Sequence, residues 1–314
     1  MIEYIYIAVT ALLWSGMEVA LKSLGGAFNP VQLTMSRVFV GGLILLPLAV
    51  RTMKRRGVRL DRKAWRTLIG LSLVGVTFSI NVTQLAIVYI PATAVSAMAS
   101  TNPMFTAFLS WLLLHERLKR HQTVGLLLAL AGLLFLTTPW NVRMDPWGVV
   151  FGLLSPLSFS LYSVFGKRAC RDYGAVAVTC LCFLLGAVEM AALSGLSHIP
   201  ALAEALRGAG LHTFAAIPFF YGYSLKLLPV VLYIFVGGTG IGFACYFLAI
   251  EAGSAQKATV VFFVKPVLAP ILAMLLLRET VSGSTLIGLL FIIVAAACMV
   301  VPELIAQHNE KGTI

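Results

Sequence analysis

The sequence predicts an all-α membrane protein of ten transmembrane helices, built as two five-helix repeats inserted upside down relative to each other. Three observations lead there: an apolar composition, a segment written twice, and basic residues gathered in alternate loops. With 60% hydrophobic and 11% charged residues and a mean hydropathy of +0.95, the chain is far short of the roughly 25% charged residues of a soluble domain. One helix crosses a bilayer with about 20 mostly apolar residues. Ten such stretches lie at about 4–24, 30–50, 67–88, 91–113, 122–138, 147–166, 174–196, 228–250, 254–277 and 284–302.

The duplication is read residue against residue. At a constant shift of 163, Leu85, Ala86, Ile87, Ala92, Pro103, Leu109, Leu112, Leu113, Leu114, Glu116 and Gly125 meet identical residues, from Leu248 to Gly288. The first two helices of each half align at a shift of 145: Trp14 meets Phe159, and Ser15, Val19, Lys22, Thr34 and Gly41 meet Ser160, Val164, Lys167, Thr179 and Gly186. The extra 18 residues of the second half fall at about 197–227, an extended outer segment with an interfacial helix expected around Pro200–Arg207. The halves are therefore 1–140 and 141–314. Five helices per half is an odd number, so the second half must enter the membrane inverted. Transporters built this way place their substrate site near the midplane, between the halves.

Charge fixes the orientation. Sixteen of the 23 Lys and Arg residues fall on one side, in Arg51–Arg66, Arg117–Arg120, Lys167–Arg171, Lys257 and Lys311. Only Arg143, Arg207, Lys226 and Arg278 occupy the opposite loops. Short basic loops stay cytoplasmic, so both termini are expected inside, in a bacterial-type inner membrane. The net charge of +11 then serves orientation and contact with anionic lipid, and nucleic acid is not an expected partner.

Taken in order, the stretches supply the candidate residues. The first follows Met1-Ile2-Glu3 without a basic leader region and is expected as a retained helix; it carries Trp14, Glu18 and the interfacial Lys22. The second holds Arg37, which can guide an anion, bond helix-end carbonyls or snorkel outward. Asn81 and Gln84 in the third stretch and Asn102 in the fourth offer hydrogen-bonding groups. Pro103 and, in the ninth, Pro266 are expected to kink helix interiors. Glu116 and Glu279 end the fourth and ninth and read as caps for the helices that follow. The sixth brings Phe159 and Tyr162, and the seventh Glu189, whose role the sequence leaves open. The eighth is expected to start at the run containing Gly237, Gly238 and Gly240, a packing or hinge element, and it carries Tyr246. The ninth holds Lys265.

No enzyme chemistry is legible. His115, His121, His198, His212 and His308 are scattered, no Ser/His/Asp grouping emerges, and the five cysteines read as small buried residues. No cofactor or metal is implied.

The Trp14-to-Lys22 spacing in LLWSGMEVALK, Arg37 in SRVFVGGLILLPL, and each half's Pro-x12-Glu followed nine residues later by Gly resemble the ten-helix EamA-type branch of the drug/metabolite transporter superfamily. The resemblance runs over nearly the whole chain. It implies a carrier that exports or imports small metabolites, commonly amino acids and related compounds; the expected function is an alternating-access exporter of small polar metabolites. The alternative is an efflux carrier for cationic drugs or guanidinium-like compounds. Two positions depart from the family pattern, Glu18 and Lys265. If their helices meet, as the resemblance implies, the two side chains either form a fixed ion pair or act in turn, Glu18 on an amine or proton and Lys265 on a carboxylate. Trp14, Phe159, Tyr162 and Tyr246 would wall that pocket. The expected partners are a small-molecule substrate, the bilayer and protons; one copy contains both halves, so a dimer is compatible but not required.

Overall fold

The computed structural model describes residues 2–24, 26–90, 95, 98–99, 101–115, 120–137, 145–277, 287–288, 290–291, 293–295, 297–298 and 302. Among them every regular element is helical. In chain order they are α1 (Ile2–Ser23), α2 (Pro30–Arg56), α3 (Arg62–Ser72), a π-helical segment π1 (Leu73–Phe78), α4 (Ser79–Tyr89), α5 (Asn102–Leu114), α6 (Arg120–Thr137), α7 (Pro146–Tyr173) and α8 (Ala175–Leu196). There follow α9 (Pro200–Gly208), α10 (Leu228–Leu232), a second π segment π2 (Tyr233–Ile241), α11 (Gly242–Ala252), α12 (Ala255–Ala258) and α13 (Val261–Leu277).

Local chemistry sets the helix ends. Asn29 caps α2 by accepting from the N–H groups of Val31 and Gln32 at 2.9 and 3.2 Å, with Pro30 in the first turn. Lys54, Arg55 and Arg56 occupy the last turn of α2, where cations complement the helix dipole. Gly57 then ends it at φ 63°, a left-handed conformation that glycine adopts without steric cost. Asp61 caps α3 through the Ala64 N–H at 2.7 Å, and Asp145 caps α7 through Trp147 at 2.8 Å.

The polarity runs inside out, as a lipid solvent requires. Leu12, Leu43, Leu48, Phe108, Trp111, Val188 and Leu193 are exposed, while Thr10, Ser15, Gln32, Ser72, Ser160, Thr179 and Thr239 are buried. Several small hydroxyls inside bond within their own helix: Ser15 donates to the Ala11 carbonyl at 2.7 Å and Thr179 to that of Ala175 at 2.9 Å. Such residues let helices approach closely where no water is available.

Six helical runs among the described residues are long and apolar enough to span a membrane: Ile2–Leu21, Pro30–Arg56, Arg62–Thr83, Pro146–Tyr173, Ala175–Leu196 and Leu228–Ala252. Asn102–Leu114 and Thr123–Gly132 are shorter apolar helices. Two expectations need correction. Pro103 lies in the first turn of α5, not within a longer helix, a position where its missing N–H costs nothing. The glycine run does not start the eighth helix. It lies within the continuous run Leu228–Ala252, in π2, because the apolar residues before it extend the helix outward. Pro266 does fall inside a helix, α13. Glu116, Glu279 and nine of the 19 residues of the tenth stretch (284–302) lie outside the described residues.

The outer segment folds back onto the start of α2. It contains α9, close to the expected interfacial helix, and a short 3-10 turn at His212–Phe214. Asn29 Nδ2 donates to the Thr213 carbonyl at 2.9 Å and Gln32 Nε2 to that of Tyr221 at 2.8 Å. Gly222 lies against the Ala27 carbonyl, where a Cβ has no room.

At the centre α2 crosses α8, and the elements around this crossing pack in matching sets. Helix α1 packs on π2, α11 and α13; helix α7 packs on π1, α4 and α5. Likewise α2 meets π2, and α8 meets π1. Individual contacts follow the shifts of 145 and 163 found in the sequence. A Cβ on Gly238 would strike Met17, and one on Gly75 would strike Tyr162. Gly41 abuts Thr239, and Gly186 abuts Val76.

Candidate functional site

Helices α1, α7, α11 and α13 each send aromatic side chains to one place. Trp14 is 3% exposed, and its ring lies 4.7 Å from Phe243, 5.2 Å from Tyr246, 5.8 Å from Phe262 and 6.3 Å from Phe159, centroid to centroid. Phe159 joins the group to Tyr162 at 5.8 Å. Offset and edge-on geometry of this kind adds to the burial energy of each ring. Polar tips are partly satisfied: Trp14 Nε1 donates to the Gly238 carbonyl at 3.0 Å, and the Tyr246 hydroxyl lies 2.7 Å from Ser163 Oγ. The Tyr162 hydroxyl is buried without a standard hydrogen bond. Four aromatic positions expected from the sequence thus come together, and Phe243 and Phe262 complete the group.

Arg37 lies on α2, 8% exposed. Its Nη1 donates to the Met17 sulfur at 3.5 Å, and its buried Nε has no hydrogen-bond partner among the described residues. Sulfur is a weak acceptor, so among the described residues a guanidinium with five donors has little to bond at the wall formed by α1 and α2. Met17 lies on α1 between Trp14 and Glu18, which brings Arg37 to the same helix as the aromatic group.

Lys265 is half-buried in α13, the helix that packs on α1. Glu18 lies on α1; its side chain is outside the described residues, as is that of Gln84.

Asn102 is built into the framework. It is 1% exposed, donates to the Pro156 carbonyl at 3.2 Å and accepts from Thr106 Oγ1 at 3.2 Å. Ser160 donates to its backbone carbonyl at 3.0 Å. These bonds tie α5 to α7. Asn81 donates to the Thr77 carbonyl at 2.6 Å, one turn back, and its buried Oδ1 has no partner among the described residues. Gly238 lets Met17 close on π2, Gly240 lies against Gly41, and a Cβ on Gly237 would meet Tyr233 and Leu13 at ordinary distance.

The end of the molecule that holds the basic loops is tied by ion pairs. Arg56 pairs with Glu251, which also accepts from the Ala175 N–H at 2.7 Å; Lys257 pairs with Glu3 at 3.3 Å. Beside them a cavity of about 490 Å³ is lined by Leu114, Lys167, Arg168, Arg171, Ile250 and Glu251. Among the described residues no group of three His, Cys, Asp or Glu side chains is placed to hold a metal ion.

Met17 and Gly75 escaped the sequence reading, yet a signal for both existed. They are the partners of Tyr162 and Gly238 at the shifts of 145 and 163.

The EamA-like transporter family model matches residues 1–138 and 146–301. An uncharacterized transporter of Clostridium kluyveri is 29% identical over 301 residues, covering 93% of this chain and 91% of its own. The uncharacterized inner membrane transporter YedA of Escherichia coli K12 is 28% identical over 272 residues, covering 86% and 81%. A WAT1-related chloroplastic protein of Arabidopsis thaliana is 25% identical over 297 residues, covering 92% of this chain and 67% of its own. A solved crystal structure 22% identical in sequence shares the fold over 98% of both chains, with a TM-score of 0.75. The chain is a membrane transporter and belongs to the EamA-like transporter family, within the drug/metabolite transporter superfamily.

Proposed function

We propose that this protein is an alternating-access exporter of small polar metabolites, amino acids or related compounds foremost, built from two inverted five-helix repeats in a bacterial inner membrane with both termini cytoplasmic. The observation that carries this reading is the doubling of contacts across the central crossing: Met17 on Gly238 and Tyr162 on Gly75, Thr239 on Gly41 and Val76 on Gly186. Each half lends its first helix to the third helix of the other. Two interfaces with related backbones and different side chains can exchange shapes, so that one closes as the other opens. One copy contains both interfaces and suffices for a complete pathway.

Between them the substrate site comprises Arg37, Lys265, Glu18 and the rings of Trp14, Phe159, Tyr162 and Tyr246. Arg37 receives a carboxylate, for which its unused donor fork is the natural partner. Glu18 takes the amine, and the rings pack on the apolar part. A charge near a bilayer centre costs about 2.5–3.5 kcal/mol even on lenient insertion scales, so a buried arginine without a carboxylate among the described residues is most simply explained by a partner that comes and goes. Protons from either side are available to the acidic groups.

A second reading, export of cationic or guanidinium-like compounds, is favoured by the ring group around Trp14, since aromatic faces attract cations. A thermal-shift screen of the purified protein separates the two. A ligand at 100 times its Kd stabilises by about 2.7 kcal/mol. Zwitterionic amino acids should raise the unfolding midpoint; stabilisation by amines and guanidinium compounds alone would replace the first reading with the second.

A further inference from the structure

Glu189 is not one of the residues assigned to the substrate site, and the proposed cycle makes no use of it. It lies about two-thirds of the way along α8. Its Oε1 accepts from Ser72 Oγ and its Oε2 from Thr77 Oγ1, each at 2.5 Å. Ser72 is the last residue of α3, and Thr77 lies within π1. One carboxylate therefore ties both ends of the widened turn to the helix that crosses α2.

The hydroxyl of Ser72 also lies 3.1 Å from the Ile69 carbonyl. A hydroxyl has one proton to give and two lone pairs, so this arrangement serves two charge states. With Glu189 ionised, Ser72 donates to Oε1. With a proton on Oε1, the acid donates to Ser72 Oγ, and the hydroxyl turns its own proton to Ile69. Thr77 donates to Oε2 in either case. Neither state leaves a buried group unmatched, the usual cost of changing charge in an interior. The proton comes from water and returns to it.

The other half has no such device. At the same shifts Glu189, Ser72 and Thr77 correspond to Ile44, Phe235 and Gly240. Of the two π segments, one is held by an ionisable group and the other is set in glycine.

We propose that Glu189 is a proton-binding site, and that its charge state sets how firmly the first π segment is held against α8. Its coupling to transport rests on the alternating-access reading; the site itself does not. The titratable and charged groups on the elements around it are these. Its own helix carries Cys180 and Cys182, the latter two turns back. Helix α7 contributes Tyr162 and, toward its C-terminal end, Lys167, Arg168, Cys170, Arg171, Asp172 and Tyr173; α2 contributes Arg37 and, in its last turns, Arg51, Lys54, Arg55 and Arg56; α11 contributes Cys245, Tyr246 and Glu251. Helix α3 holds Arg62, Lys63 and Arg66 toward its far end, and π1 holds none.

The test is amide hydrogen exchange on the full-length protein in lipid nanodiscs, over peptides covering residues 69–81, with intrinsic rates divided out. Hydrogen bonds to a charged group are roughly twice as strong as neutral ones. Protection of π1 in the wild type should therefore fall about tenfold from alkaline to acid pH, the factor that 1.4 kcal/mol represents. Glu189→Gln, a neutral mimic, should show the low protection at every pH. Thr77→Val, which keeps the carboxylate, should start from lower protection and keep the pH step. A pH step that survives Glu189→Gln overturns the site, as does full protection in Thr77→Val. A loss produced by replacing choline with sodium at fixed pH overturns the proton as its ligand. Failure to transport any amino acid while the pH step persists would defeat the proposed substrate and leave this site standing.

Discussion

Replacing Arg37 with Met separates a substrate anchor from a structural bolt. Arg37 is 8% exposed, and among the described residues its guanidinium has only a sulfur 3.5 Å away as a hydrogen-bond acceptor, with its Nε unmatched. A bolt would have carboxylate or carbonyl partners, and its removal would leave them buried and unpaired at a cost of about 3–5 kcal/mol. Arg37 has no such partner among the described residues, so Arg37→Met, close in length and apolar, should leave stability unchanged or raise it by about 1–4 kcal/mol. Binding should move the other way. A hydrogen bond to a charged group is worth about 1.5–3 kcal/mol, so loss of the carboxylate contact should weaken apparent affinity by roughly ten- to a hundredfold. Two assays read the two effects: unfolding midpoint in detergent, and saturation of amino-acid uptake in proteoliposomes. Arg37→Lys should restore part of the affinity, since the charge remains and the planar fork is lost. A variant that loses about 3 kcal/mol of stability yet binds substrate normally would refute the reasoning.

Other consequences follow from individual contacts. Gly75→Ala should cost about 1–3 kcal/mol of stability, because its Cβ meets the ring of a fully buried Tyr162; Gly238→Ala, which meets the flexible Met17, should cost less, and melting curves of the pair test the order. Trp14→Phe keeps a ring and loses the 3.0 Å hydrogen bond to Gly238, so it should lower stability by about 0.5–1.5 kcal/mol in the same melts. Asn102→Ala strips partners from the Pro156 carbonyl and Thr106 hydroxyl and should cost about 1–3 kcal/mol, with affinity in the folded fraction unchanged. Arg56→Gln removes a partly exposed ion pair with Glu251; stability should change by less than about 1 kcal/mol, while cysteine labelling at that end of the molecule should speed up as the two helix ends part.

What the sequence made legible is what repetition and polarity encode. The shifts of 145 and 163 were visible as identities, and they carry over to contacts between residues that are not identical, such as Met17 and Tyr162 against their glycines. Trp14, Phe159, Tyr162 and Tyr246 could be chosen because large rings within apolar helices must pack somewhere, and they pack together. Other features have no local signature. The π segments are a difference in hydrogen-bond register that no residue type announces, which is why Gly237, Gly238 and Gly240 looked like a helix start. Asn102 looked available because two of its partners, Pro156 and Ser160, are 54 and 58 residues away on α7. Glu189 stayed ambiguous for the same reason: Ser72 and Thr77 are 117 and 112 residues distant, and only the packing of α8 on π1 brings them within reach.

The central claim is that the pathway opens to one side at a time around a site shared by the two halves, and counterflow tests it most directly. Purified protein is sealed in proteoliposomes preloaded with an unlabelled amino acid, with no ion gradient, and uptake of the labelled compound is followed. The account predicts a transient overshoot of label, saturable and accelerated by the internal substrate, and weakened in Arg37→Met. Linear uptake that internal substrate neither accelerates nor saturates would describe an open pore and contradict alternating access.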